Sequence, residues 1–307
     1  MSRFQLLYHG DWEAVVDTEC GANCIRLRNR KHEAYLLREP GEYPLDNPYL
    51  YGMPILFPVN RIEGGCFEFE GRLYSFPINE PKTNCHLHGT LHQTPFQITR
   101  QTKRLIQCTF KAEKGEYLGF PHAFEVIQEY ELKSDGLHHR VTVKNNSDEN
   151  MPVFLGFHTT FNTLFTKESS AENVSVCVPL AEEYERNMAV NYLPTGKTPM
   201  LDEISTALKN GFFRPSDVGI SRHYRGAGSM SITDEARGLR VIYQPDKKFG
   251  FRLIYGGGKE GYLCLEPQTC LANCQNAPFS RNESGFDSIK PKKSKRYCSK
   301  IYLEEIK

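Results

Sequence analysis

Apolar and polar residues alternate with a period of two along most of the chain, and no long stretch repeats them at helical spacing. Side chains on a strand point to opposite faces in turn, so each such segment has one face to bury and one to leave to solvent. The pattern holds in Phe4-Gln5-Leu6-Leu7-Tyr8, Trp12-Glu13-Ala14-Val15-Val16, Phe124 to Leu132, Leu137 to Val143, Leu239 to Gln244, Phe249 to Tyr255 and Tyr297 to Leu303. Cys66 to Phe76 reads as two strands turning near Gly71. Without sustained amphipathic helices a parallel βαβ architecture is excluded, and we expect an all-β fold, a large antiparallel β-sandwich. The only helix candidate is 201–210, within a segment from 163 to 230 that otherwise reads as irregular. Residues 38–58, rich in Pro, Gly, Asn and Tyr, read as loop. The sequence shows no fixed-period repeat or low-complexity linker, so residues 1–307 read as a single domain.

A net charge of +1 removes one class of function. A phosphate-backbone binder needs a basic excess or stripe, and the run Lys290 to Arg296 is too short to be more than a solvated loop, so no nucleic acid is expected. No apolar window approaches membrane-spanning length and no leader-like segment opens the chain, which implies no membrane and a cytoplasmic location. The ten cysteines are scattered, as reduced thiols would be; Cys20/Cys24 and Cys270/Cys274 lack CxxC geometry for zinc. Monomer and homodimer are both compatible with the sequence.

Chemistry concentrates first at Cys85-His86-Leu87-His88-Gly89-Thr90-Leu91-His92. A regular strand through His86 and His88 would place both imidazoles on one face, half of a metal site. The set lacks a carboxylate: no Asp or Glu lies between Gly89 and Gln107. We therefore expect no metal. There is no GxxxxGK[ST] phosphate loop, Gly256-Gly257-Gly258-Lys259 opens no helix, and no GxSxG elbow is present. What remains is acid/base chemistry from His158, at the end of Met151 to Phe157, and Glu266, read as the end of the apolar strand Tyr262 to Leu265. Partial desolvation there would raise the proton affinity of Glu266. Asn60 and Arg61, presented after a proline-bracketed apolar run, and His88 are the polar orienters, while His122, His138 and His139 read as structural. Spacing alone does not link His158 to Glu266.

Several stations taken in order resemble the aldose 1-epimerase (galactose mutarotase) family. Asn60-Arg61-Ile62 resembles its N-R, Leu87-His88-Gly89 its L-H-G, and Phe157-His158-Thr159-Thr160-Phe161-Asn162 its H-P-Y-F-N. Leu193-Pro194-Thr195-Gly196 resembles its P-T-G turn and Leu265-Glu266-Pro267-Gln268 its L-E-P-Q. The resemblance implies an open sugar cleft on one sheet, with Glu266 taking the proton from the anomeric hydroxyl and His158 protonating the ring oxygen. It also implies that His88 lies near the ring oxygen, that Arg61 binds sugar hydroxyls, and that no cofactor is required. On this reading His86 lines the cleft edge and His92 is structural. Thr159 and Thr160 replace the family's proline and tyrosine, a change expected at the cleft floor. The family's sugar-binding aspartate has Asp217 as its nearest counterpart, with Ser221-Arg222-His223-Tyr224 as the other stretch at that place. Two alternatives stay open: a non-catalytic carbohydrate-binding protein, and a hexose-phosphate 1-epimerase, which would need Lys or Arg clustered at the cleft.

Overall fold

The computed structural model describes residues 2–41, 45 and 47–306. Of the expected 38–58 loop, residues 42–44 and 46 lie outside the described residues.

Two large antiparallel sheets face one another. The first has eight strands, in the order Gln97–Gln101, Leu105–Ala112, Phe124–Lys133, Gly136–Asn145, Ser294–Glu305, Leu239–Pro245, Met230–Asp234 and Val174–Cys177. Its strands keep the alternation read from the sequence: Phe124–Lys133 is buried at every second position. The second runs Glu182–Tyr184, Gly219–Arg225, Phe251–Gly257, Tyr262–Gln268, Gly156–Phe157 and Ile55–Leu56, with Thr160–Asn162 also paired to Tyr262–Gln268. A four-stranded sheet from Phe4–His9 to Ala34–Tyr35 and the hairpin Cys66–Phe69/Arg72–Ser75 add to these. The all-β antiparallel sandwich is thus as expected.

The sheets meet through apolar side chains, which supply the main stabilising free energy of such a fold. Phe161 lies 5.6 Å from Tyr243, and Phe157 meets the His139 ring at 4.8 Å, each pair spanning the two sheets. One contiguous core runs from Leu7 to Ile301. The strand Tyr262–Gln268 is buried at every position. Leu263 and Leu265 join that core, so by strand alternation Cys264, Glu266 and Gln268 share the opposite face.

The sequence reading needs four corrections here, the first being that the stretch 38–58, read as loop, holds the strand Ile55–Leu56. The 163–230 segment holds the strands Val174–Cys177, Glu182–Tyr184 and Gly219–Arg225 besides the helix Glu203–Asn210, which Asp202 caps through Ser205 N. Glu266 is not at a strand end, since the strand runs on through Pro267 to Gln268 and leaves the carboxylate completely buried. The strand through His86 stops at Leu87, because His88 adopts φ 63°. All ten cysteines are free thiols, and no helix among the described residues is long and apolar enough to cross a membrane.

Candidate active site

The second sheet is interrupted beside its central strand. Gly156–Phe157 pairs with Gln268 and Leu56, pairing breaks at His158 and Thr159, and Thr160–Asn162 resumes against Cys264 to Tyr262. Backbone bonds from His158 N to Pro54 O (3.1 Å) and from Leu265 N to Thr159 O (2.9 Å) hold the interruption in place. Glu266 pairs with Leu253 in the neighbouring strand and projects from the same region. His158 Nε2 and Glu266 Oε1 come within 3.2 Å, yet among the described residues no hydrogen bond reaches Oε1. Folding therefore makes the link that spacing could not.

Burial drives both groups towards their neutral forms. Desolvation raises the Glu266 carboxyl to about 8, against the opposing pull of the Gln268 hydrogen bond and the charges of Arg186 and Arg61. Desolvation likewise lowers His158 to about 3. Near neutral pH the pair holds a single proton, and moving it from carboxyl to imidazole creates a general base and a general acid side by side.

His88 is set by local backbone geometry. Asn60 and His88 both have φ 63°, and they exchange bonds: His88 N donates to Asn60 O (3.0 Å) and Asn60 N donates to His88 Nδ1 (3.2 Å). Because Nδ1 accepts, a neutral His88 carries its proton on Nε2 and offers a donor. Desolvation keeps the ring neutral, holding its pKa well below the ordinary value. Gly89 also has φ 63°, and a Cβ there would lie 1.9 Å from Phe57 O, so the residue after His88 must be glycine. Asn60 extends inward as well, donating from Nδ2 to Gln268 Oε1 (3.2 Å), while Gln268 Nε2 donates to Glu266 Oε2 (3.1 Å). That chain fixes the orientation of the carboxylate.

Arg61 is held rigidly. Its Nε and Nη2 donate to the two Glu80 oxygens at 2.6 and 2.7 Å, and its guanidinium lies 4.6 Å from the Tyr192 ring centroid. Burial works to raise the Glu80 carboxyl, but the bonds from Arg61 and Thr83 outweigh it and leave it below the usual carboxylate value. These groups border a cleft of about 330 Å³ that also takes in Asn60, His88, His158, Glu266, Tyr49, Tyr255, Arg186 and Ser221. That volume suits one small polar ligand. Tyr49 forms part of the wall, its ring 4.7 Å from both His88 and His92.

Asn60, Arg61, His88, His158 and Glu266 thus converge, whereas Asp217 does not. It sits on an exposed turn accepting from Ser216 Oγ at 3.1 Å, outside the cleft. Of the alternative stretch, Ser221 reaches the cleft, while Arg222 turns to Glu183 and Asp202. His86 is also outside it, its Nδ1 2.8 Å from Pro77 O and its ring packed on Phe76. The left-handed turn at His88 breaks the shared strand face that would have joined them. His92 is buried against Tyr49, and neither ring nitrogen finds a partner among the described residues. Thr159 faces the inter-sheet core, donating to Tyr243 Oη at 3.2 Å, so neither it nor Thr160 forms the cleft surface.

Besides Glu80, Tyr192 and Tyr49, which hold or border the groups above, two further contributors were missed in the sequence. Gln268 acts on Glu266 through its amide, for which the alternation of Glu266 and Gln268 was the available signal. Arg186 fell in the segment read as irregular. It is 8% exposed, and its Nη2 donates to Ser221 O (2.6 Å) and Ser221 Oγ (2.9 Å). Residue 186 bridges to Pro194, so the turn Leu193-Pro194-Thr195-Gly196 braces the backbone that carries it.

One group among the described residues has donor atoms close enough for a metal: His158, Cys264 and Glu266, all within 4.8 Å of one another. It coincides with the acid/base pair. Burial holds the Cys264 thiol well above its ordinary pKa, against the thiolate that a metal would need.

A model of the aldose 1-epimerase family matches residues 7–303. The chain belongs to the aldose 1-epimerase family. It is 26% identical over 275 residues to the uncharacterized protein YihR of Escherichia coli K12, covering 87% of this chain and 84% of the relative. Among solved structures, a galactose mutarotase-like protein from Clostridium acetobutylicum superposes with a TM-score of 0.91 at 28% identity, covering 98% of this chain and 95% of that one. The GalM/aldose epimerase homologue from C. elegans shares the fold at a TM-score of 0.80 and 13% identity, with both chains fully covered. The membership places this chain in a class of isomerases.

Proposed function

We propose that this protein is a cytoplasmic aldose 1-epimerase that interconverts the α and β anomers of a free sugar without a cofactor. The observation that carries the reading is the buried His158–Glu266 pair at 3.2 Å, open to a cleft lined by hydrogen-bonding groups. Glu266, as carboxylate, takes the proton from the anomeric hydroxyl. His158, as imidazolium, gives its proton to the ring oxygen, and the C1–O5 bond breaks to leave an open-chain aldehyde. Rotation about C1–C2 presents the other carbonyl face, and closure returns both protons. His88 Nε2–H donates to a sugar oxygen near the ring, and Arg61, fixed by Glu80 and Tyr192, donates to ring hydroxyls. Because the acid and base are pre-placed within one small cleft, their rate contribution needs only proton transfer and orientation.

The test is the approach to anomeric equilibrium of freshly dissolved α-sugars, followed by polarimetry against the spontaneous rate. Acceleration by the wild type supports the enzyme. Tight sugar binding with no acceleration would instead make the protein a carbohydrate-binding member of the fold.

A further inference from the structure

The cleft contains a buried positive charge that the mutarotase steps above do not use. Arg186 is more than nine-tenths buried and no carboxylate lies within ion-pair distance of it among the described residues, although Arg61, on the same cleft, is fully matched by Glu80. A buried guanidinium is expensive unless paired, so proteins rarely keep one without a counter-charge. Among the described residues its side chain donates from Nη2 to the Ser221 carbonyl and hydroxyl, which aim the group without supplying a counter-charge in contact with it. Asp217, the nearest counterpart of the family's sugar-binding aspartate, lies outside the cleft.

We propose, building on the mutarotase reading, that the substrate is an aldose carrying a singly charged anionic group, a carboxylate or sulfonate, which pairs with Arg186. The group must sit away from C1, because a substituent on the anomeric oxygen removes the hydroxyl that Glu266 deprotonates. The charge count sets the class. Among the described residues Arg61 and Glu80 cancel, the single proton held by the His158–Glu266 pair leaves that pair neutral overall, and no lysine lines the cleft, so Arg186 contributes one net positive charge. One negative charge balances it. A phosphate ester, carrying about −1.5 to −2 near neutral pH, would bring an excess into a site with no further donor cation.

The experiment measures kcat/KM for anomer exchange by NMR on glucose and galactose, each beside its uronate, 6-sulfonate and 6-phosphate, with wild type, Arg186→Gln and Arg186→Lys. A charge-assisted bond in a buried site leads us to expect the wild type to prefer the uronate or the sulfonate over the neutral parent by about 10- to 100-fold. Arg186→Gln should collapse that ratio towards one, chiefly through KM, and Arg186→Lys should restore part of it. The wild-type rate on the anionic sugar should also fall with added salt more steeply than that on the neutral one, a readout independent of any variant. A wild type that favours neutral sugars, or an Arg186→Gln variant that slows neutral and anionic sugars equally, overturns the proposal. Preference for the 6-phosphate overturns the single-charge assignment. If no sugar is turned over, the mutarotase reading fails by itself, and calorimetry decides the role of Arg186. Tighter binding of the uronate or sulfonate than of the parent, lost in Arg186→Gln, supports that role; equal binding refutes it.

Discussion

Replacing Glu266 by Gln should make the protein more stable, by an amount that grows with pH. The carboxyl is completely buried, and desolvation raises it to about 8 from an ordinary value of 4.5. Between those values the native state keeps a proton that the unfolded chain releases, so native stability is full below pH 4.5 and declines as pH rises towards 8. At about 1.4 kcal/mol per pH unit, the wild type has lost roughly 3 kcal/mol by pH 7. Glutamine matches the side chain in shape, can accept from Gln268 through its own carbonyl, and does not titrate. The variant should therefore match the wild type near pH 4 and exceed it by about 3 kcal/mol at pH 7, or roughly 5 °C in Tm for a chain of this length. His158 titrates in the opposite sense, stabilising at neutral pH and losing that contribution as pH falls towards 3, and its effect is common to both proteins. Urea unfolding at four pH values between 4 and 8, with m compared throughout, measures the difference. A variant advantage that is independent of pH, or that shrinks as pH rises, would refute the assignment of a buried, protonated Glu266.

Further outcomes follow from the same geometry. The pH profile of kcat/KM should be flat through neutrality and fall on the alkaline side near 8, where the single proton of the pair is lost; a fall centred near 6 would contradict the neutral His158. Gln268→Leu removes the bond that favours the Glu266 carboxylate, so the alkaline limb should move upward; an unmoved or lowered limb would show that the bond is without effect. Gly89→Ala should cost several kcal/mol, since it combines positive φ with a backbone clash, and soluble yield and Tm would report it. Exhaustive chelation should leave activity unchanged; a loss restored by added metal would assign His158, Cys264 and Glu266 to a metal instead.

The fold was legible because two-residue alternation is a local property, and strands such as Phe124–Lys133 show it over their full length. The strand Tyr262–Gln268 was harder, since a sheet covered on both faces hides alternation, and Pro267 read as a terminus though the strand passes through it. His158 and Glu266 could be singled out from their places on apolar strands but paired only through the family resemblance, because their meeting depends on a break in a sheet that no local pattern predicts. His86 was misplaced for a conformational reason: only the following Gly89 hinted that the backbone turns left-handed at His88. Arg186 was invisible because its position depends on Ser221, remote in sequence, and on a bridge to Pro194, contacts that arise only on folding.

The central claim, that His158 and Glu266 are the acid and base of anomer exchange, is tested most directly by two-dimensional exchange NMR. Wild type, His158→Asn and Glu266→Gln would be compared on a sugar the wild type turns over, with sugar binding measured for each by calorimetry. We predict that each variant still binds the sugar but exchanges its anomers about 10²- to 10⁴-fold more slowly than wild type, the usual contribution of a positioned acid or base. Exchange in either variant at close to the wild-type rate would contradict the account.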